Sequence, residues 1–224
     1  MGSAIGEMLP LAIGIAISPI PIIAIILMLI TPKARSNGLA FLGGWLLGLA
    51  VVGTIVLIVA NTAGIATSSG PSRTVSIVKL VLGLLLLFAA WRQFTKRPQP
   101  GEAAPMPKWM RALDNFTPTR SLAIGALLSG VNPKNLILNA TAATGIAATG
   151  LAGVQQAVVL VVLIVVGSLG IIAPVGVYFA MGDKAAKVLD GWKDWLAANN
   201  ATVMTVLFLV FGVTLIGKGI GGLS

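Results

Sequence analysis

Six long apolar stretches separated by short polar connections dominate the chain, at roughly 8–31, 39–61, 74–94, 121–145, 154–181 and 200–221. Each reaches the ~20 residues that an α-helix needs to cross a bilayer, so the pattern predicts six transmembrane helices. The first stretch does not read as a cleavable signal peptide. It is too long, its early part carries only Glu7 as a charge, and it contains Pro10, Pro19 and Pro21. The connection from Thr95 to Thr119 holds Pro98, Pro100, Pro105, Pro107 and Pro118 and reads as a linker. It divides the chain into a three-helix repeat over 1–94, a cytoplasmic Pro-rich linker over 95–119 and a second three-helix repeat over 120–224. Lys108–Leu113 within the linker reads as a short interfacial turn. Asp183 to Ala198 reads as a surface helix, with Asp183 as its N-cap and Trp192 and Trp195 on its membrane face.

Composition agrees with the pattern. Hydrophobic residues make up 57% and charged residues 9% of the chain, and the mean hydropathy is +0.99. A water-soluble domain carries about 25% charge, so this chain has too little polar surface to face water all round. Cysteine and histidine are absent, which excludes thiol relays, Cys/His zinc sites and Ser-His-Asp chemistry. The net charge of +9 is arranged by topology. Eleven basic residues lie in the connections after predicted helices 1, 3 and 5, against Arg73 and Lys218 on the other side. The positive-inside rule then puts the odd connections in the cytoplasm and both termini outside. Trp45, Trp91, Trp109, Trp192 and Trp195 all fall near the predicted cytoplasmic ends, as half of an aromatic belt would. No nucleic-acid partner is needed to explain the charge.

The two halves resemble each other. Ala12–Ser18 aligns with Ala123–Ser129 at an offset of 111, with four of seven positions identical, and both segments run into proline. Three helices per half is an odd number, so the second half enters the membrane from the opposite side. The expected fold is all-α, with six transmembrane helices as a 3+3 inverted-topology repeat in which helices 1 and 4 are broken. Pro19 and Pro133 lie about 11 and 12 residues into their helices, roughly 16–18 Å deep and near the middle of a ~30 Å hydrocarbon core.

Proline inside a helix removes a backbone hydrogen bond, and Ser or Asn before it makes a fresh helix start. Ser18 and Asn132 are therefore expected N-caps, with Pro19 and Pro133 at the first helical position. Two half-helix N-termini meeting at one depth suit an anion. Lys134 stands among them as a charge at the bilayer centre, where an ion costs at least ~2.5–3.5 kcal/mol and is functional by default. With no carboxylate deep in any predicted helix, its counter-charge is expected from a ligand. Asn132, Asn135 and Asn139 share a helix face beside it. Ser18, Pro19, Pro21, Ser129, Asn132, Pro133, Lys134, Asn135 and Asn139 form the candidate substrate site, with no metal and no cofactor. Plainer readings stand beside this one. Pro10, Pro21 and Pro174 also suit simple kinks, Lys134 a side chain snorkelling from a helix end, and Lys79 a snorkeller at the outer interface. Gly44-x-x-x-Gly48 and Gly217-x-x-x-Gly221 match a small-residue packing motif.

The six-helix layout, Ser18-Pro19-Ile20-Pro21 and Asn132-Pro133-Lys134-Asn135 resemble the lysine-exporter superfamily. Within it, the length and the Pro-rich central linker look most like the GAP family of glycopeptidolipid- and sulfolipid-addressing membrane proteins of actinobacteria. The resemblance covers essentially the whole chain. It implies a multi-pass protein of the bacterial inner membrane that moves envelope lipids or their polar precursors outward. The leading function is a transporter or flippase for an anionic amphiphile, working by alternating access. The alternatives are an exporter of amino acids or other small solutes, and an accessory subunit of a larger lipid-export complex. Membrane lipids are partners in each case, and homo-oligomerisation is left open. An enzyme is not expected, since no acid–base pair or nucleophile constellation falls within the membrane.

Overall fold

A computed structural model describes residues 1–63, 73–95 and 117–223. The described chain is helical throughout, and its apolar helices fit a multi-pass membrane protein. In chain order the helices are α1 (Gly2–Ala16), α2 (Pro19–Leu29), α3 (Ala34–Thr62), α4 (Arg73–Thr95), α5 (Pro118–Gly130), α6 (Pro133–Ala147), α7 (Gly153–Gly167), α8 (Leu169–Met181) and α9 (Ala185–Gly221). The interfacial turn expected at Lys108–Leu113 lies outside the described residues, as does most of the Pro-rich linker.

Three helices among the described residues are long and apolar enough to cross a membrane: α3, α4 and α9. Counting each sharply bent pair as one span gives up to five, the pairs being α1–α2 at 55° and α7–α8 at 56°. The pair α5–α6 is not among these candidates. Its sequence carries Ser129, Asn132, Lys134, Asn135 and Asn139, and each polar residue subtracts from the apolar run.

Two expected elements differ in the structure. The surface helix at 183–198 and the last span are one continuous helix, α9, of 37 residues, whose N-cap position is Lys184 rather than Asp183. At ~1.5 Å per residue it is about 55 Å long, well beyond a ~30 Å hydrocarbon core. Nothing between the charged segment and the apolar one breaks a helix, and Asn199 bonds back to the Trp195 carbonyl at 2.9 Å. The fifth stretch, expected as one helix, instead bends at Ser168, whose hydroxyl donates to the Ile164 carbonyl at 2.6 Å. Pro174 sits inside α8 and is not the bend.

The helices approach most closely where glycines line the contact. On α3, a Cβ at Gly44 would strike the Leu122 carbonyl of α5, and one at Gly48 would strike Ser129 and the Ala126 carbonyl. The Gly44-x-x-x-Gly48 motif therefore seats α5 within the chain. Gly217 and Gly221 have no atom within 4 Å of an added Cβ, and α9 meets α4 through Gly212 and Gly219 instead. Trp45 is fully buried, so it belongs to the core and not to an aromatic belt. We predict that Gly44→Leu lowers the stability of the purified protein by about 1–3 kcal/mol through overpacking. Gly43→Leu, one position along in open space, should leave it unchanged. Thermal unfolding in detergent compares the two; equal midpoints would refute the close α3–α5 contact.

Candidate functional site

The site grows out of the two helix breaks. In α1 the carbonyls of Gly14, Ile15, Ala16 and Ile17 would bond to the amides of residues 18 to 21 if the helix continued. Pro19 and Pro21 have no N–H, so the carbonyls of Ile15 and Ile17 lose their partners outright. The Ser18 amide turns to the Ala16 carbonyl at 3.0 Å, which orphans Gly14 as well. Three carbonyls are thus released at the end of α1 by Ser18-Pro19-Ile20-Pro21. In an apolar interior each must find a donor.

Lys134 supplies most of them. Its side chain is 3% exposed. Nζ donates to the carbonyls of Gly14 at 2.6 Å and Ile17 at 2.9 Å, and to Ser18 Oγ at 2.7 Å. An ammonium has three protons and no acceptor, so these three bonds use its whole capacity. The remaining carbonyl, Ile15, takes the Ser18 hydroxyl proton at 2.7 Å. The C-terminal end of α1 also carries the negative pole of the helix dipole, which favours a cation there.

The second break is closed in a similar way. Asn132 is the N-cap of α6 with Pro133 at the first position, and its side chain accepts from the Lys134 amide at 3.1 Å. Asn135 Nδ2 donates to the Leu128 carbonyl at the end of α5, at 3.1 Å, and its Oδ1 lies 3.2 Å from Ser18 Oγ. The bond from Lys134 Nζ to Ser18 Oγ thereby joins breaks that are 116 residues apart in sequence, with Asn135 in contact beside it.

The other candidate residues lie around this cluster with different partners. Ser18 occupies the N-cap position of α2 but makes no side-chain cap bond. Pro19 and Pro21 are buried and act through the carbonyls they leave free. Ser129 packs against Gly48 of α3 and bonds back to the Ala126 carbonyl at 3.1 Å. Asn139 points to α3, donating to the Leu49 carbonyl at 3.0 Å, while its buried Oδ1 has no partner. The three asparagines therefore serve three different places.

The geometry differs from the expected anion site in one physical respect. Of the first three residues of α2, two are prolines, so only the Ile20 amide remains as a free donor of that N-terminus. The ammonium meets the C-terminal end of α1, whereas the Ser-Pro pattern predicts a ligand at the new N-terminus of α2. The signal for Gly14 and Ile17 was present all the same, four residues before Ser18 and Pro21.

Residues 8–221 match the family model described as Sap, sulfolipid-1-addressing protein. No curated protein matches the chain, and no solved structure does.

Proposed function

Because the chain belongs to the Sap, sulfolipid-1-addressing protein family, we propose that it moves an anionic amphiphile, an envelope lipid or lipid-linked precursor, across the inner membrane by alternating access. The observation that carries this reading is Lys134, a buried cation held by backbone carbonyls and one hydroxyl from the other half of the chain. Neutral carbonyls are weaker partners for an ammonium than an anionic oxygen. A phosphate, sulfate or carboxylate reaching Lys134 displaces Gly14 and Ile17, and that exchange uncouples α6 from the end of α1. Head-group binding and release of the two halves then become one event, which is what a substrate-driven rocking motion requires.

The six-span inverted repeat is part of the same proposal. Its support is the pattern of neighbours: α1 packs on α7 and α5 on α3, while α4 packs on α9. Exchanging α1–α2, α3 and α4 for α5–α6, α7–α8 and α9 turns each of the first two pairs into the other and leaves the third unchanged. The Asn-Pro-Lys resemblance to the lysine-exporter superfamily supports it too, and the charge distribution supports both termini outside.

The test is reconstitution of the full chain in liposomes with head-group-matched fluorescent lipids, following leaflet exchange. We predict exchange of an anionic lipid at least about tenfold faster than in protein-free vesicles, an activation difference of ~1.4 kcal/mol, and faster than a zwitterionic lipid. No acceleration of either would sink the lipid-moving reading. Small-solute export would then be tested by efflux of amino acids from the same vesicles.

A further inference from the structure

Away from the Lys134 cluster, a pocket of about 280 Å³ opens between α2, α8 and α9. Ile22, Gly170, Ala173, Trp192, Trp195 and Leu196 form it, and no polar atom lines it. Pro174 completes the α8 wall. Its size is just below that of ordinary small-molecule sites, enough for part of one hydrocarbon chain and too narrow for a helix of ~10 Å diameter. The two indoles stand at its mouth, with Trp192 39% and Trp195 59% exposed.

Two features of the surroundings select the occupant. The first is charge. Asp190 and Asp194 beside the indoles are held by Lys193 at 2.6 and 3.5 Å, while Lys184, at the N-cap position of α9, and Lys187 are exposed one to two turns before Trp192 and make no ion pair among the described residues. Along the helix they lie about 12 Å and 7–8 Å from Trp192. Arg35 joins them from α3, its guanidinium 5.7 Å from the ring of Phe179 near the end of α8. With Asp190 and Asp194 sharing Lys193, the cations near the mouth left without a carboxylate partner among the described residues are Lys184, Lys187 and Arg35, a head-group's distance away. An apolar slot so placed fits a molecule with one greasy tail and one anionic end. The second is continuity with the break. A Cβ on Gly170 would run into the Ala16 carbonyl and close on Ile22, so the pocket wall backs onto the unwound segment that holds Lys134.

We propose that this pocket holds an acyl chain of an anionic lipid whose head group rests on Lys184, Lys187 and Arg35, as the loading position for the break. The proposal rests on the lipid-moving reading for its purpose but not for its test, which measures occupancy without transport. The full chain with Trp91→Phe and Trp109→Phe keeps the two pocket indoles, and Trp45 remains as a buried, lipid-shielded background. It is reconstituted in phosphatidylcholine vesicles containing rising fractions of phosphatidylglycerol brominated on its chains, which quenches tryptophan on contact. The reference is the chain with Trp109, Trp192 and Trp195 changed to Phe, leaving the exposed Trp91.

The pocket indoles should be quenched to saturation at a lower brominated fraction than Trp91. Brominated phosphatidylcholine should show no such preference. Ala173→Phe, which fills the pocket from α8, should move the curve back to that of Trp91. Leu196→Phe does the same from α9 and serves if the first variant does not fold. Identical curves for the pocket indoles and Trp91 would mean a general lipid shell and overturn the proposal. Quenching lost as the protein-to-lipid ratio rises would put a second copy of the chain in the groove, and would overturn it too. Saturable quenching without leaflet exchange would remove the transport reading and leave the pocket; exchange without saturable quenching would do the reverse.

Discussion

Lys134→Met should abolish leaflet exchange of anionic lipid and lower the unfolding free energy by about 2–4 kcal/mol. Methionine matches the length and apolar stem of lysine, so packing in the buried site is nearly kept while the ammonium is lost. The carbonyls of Gly14 and Ile17 then face an interior with no donor, and Ser18 loses its cation. Leaving a buried acceptor unpaired costs about 1–3 kcal/mol in water-soluble proteins. Hydrogen bonds inside membrane proteins average nearer 0.6 kcal/mol, because the unfolded segment in lipid also finds partners. Two orphaned carbonyls and one weakened hydroxyl fall between these limits. Lys134→Arg should fail as well. A planar guanidinium spreads its protons in a fixed fork, whereas the three acceptors here converge on one nitrogen. Thermal unfolding in detergent reads the first effect and proteoliposome exchange the second. A Met variant as stable and as active as the wild type would dispose of both the latch and the head-group site.

Much of this site was legible in the sequence, for a specific reason. Proline has a fixed consequence wherever it stands in a helix, since it removes one donor and frees the carbonyl four residues back. Ser18-Pro19 and Asn132-Pro133 therefore located both breaks, at Ile17–Ser18 and Val131–Asn132. What the breaks would bond to was harder to read. A break makes a helix C-terminus as well as an N-terminus, and buried Lys134 finds the carbonyl end because that is where acceptors lie free. The bend at Ser168 left no comparable mark, since a Gly-Ser-Leu-Gly segment bends a helix only when packing asks it to. There Gly170 has to clear the Ala16 carbonyl. The division of α9 into a surface helix and a span read a change of polarity as a change of structure. Charge tells where the surroundings of a helix change, and only backbone chemistry tells where it stops. Trp45 followed the belt pattern by position alone, yet it is fully buried in the core.

Asn135→Asp separates the structural part of the cluster from its proposed use. Asn135 Oδ1 sits 3.2 Å from Ser18 Oγ, which in turn accepts from Lys134 at 2.7 Å. A carboxylate there differs by one atom and fits the same space. It cannot donate to the Leu128 carbonyl, which loses its 3.1 Å bond. It also places a negative charge one hydroxyl away from the ammonium, inside a region shielded from water, where opposite charges attract strongly. These two effects oppose each other, so the variant should fold with stability within about 1 kcal/mol of the wild type. Transport should respond differently. With its own counter-ion in place, Lys134 has no need of an incoming anion, and a negative head group is repelled from the site. We expect anionic leaflet exchange to fall at least about tenfold, a loss of ~1.4 kcal/mol in transition-state terms, with any zwitterionic exchange unaffected. Asn135→Leu provides the contrast, because it too loses the bond to the Leu128 carbonyl but adds no charge. If Asp and Leu slow exchange equally, the cluster is a structural rivet between the two breaks and the anion is bound elsewhere.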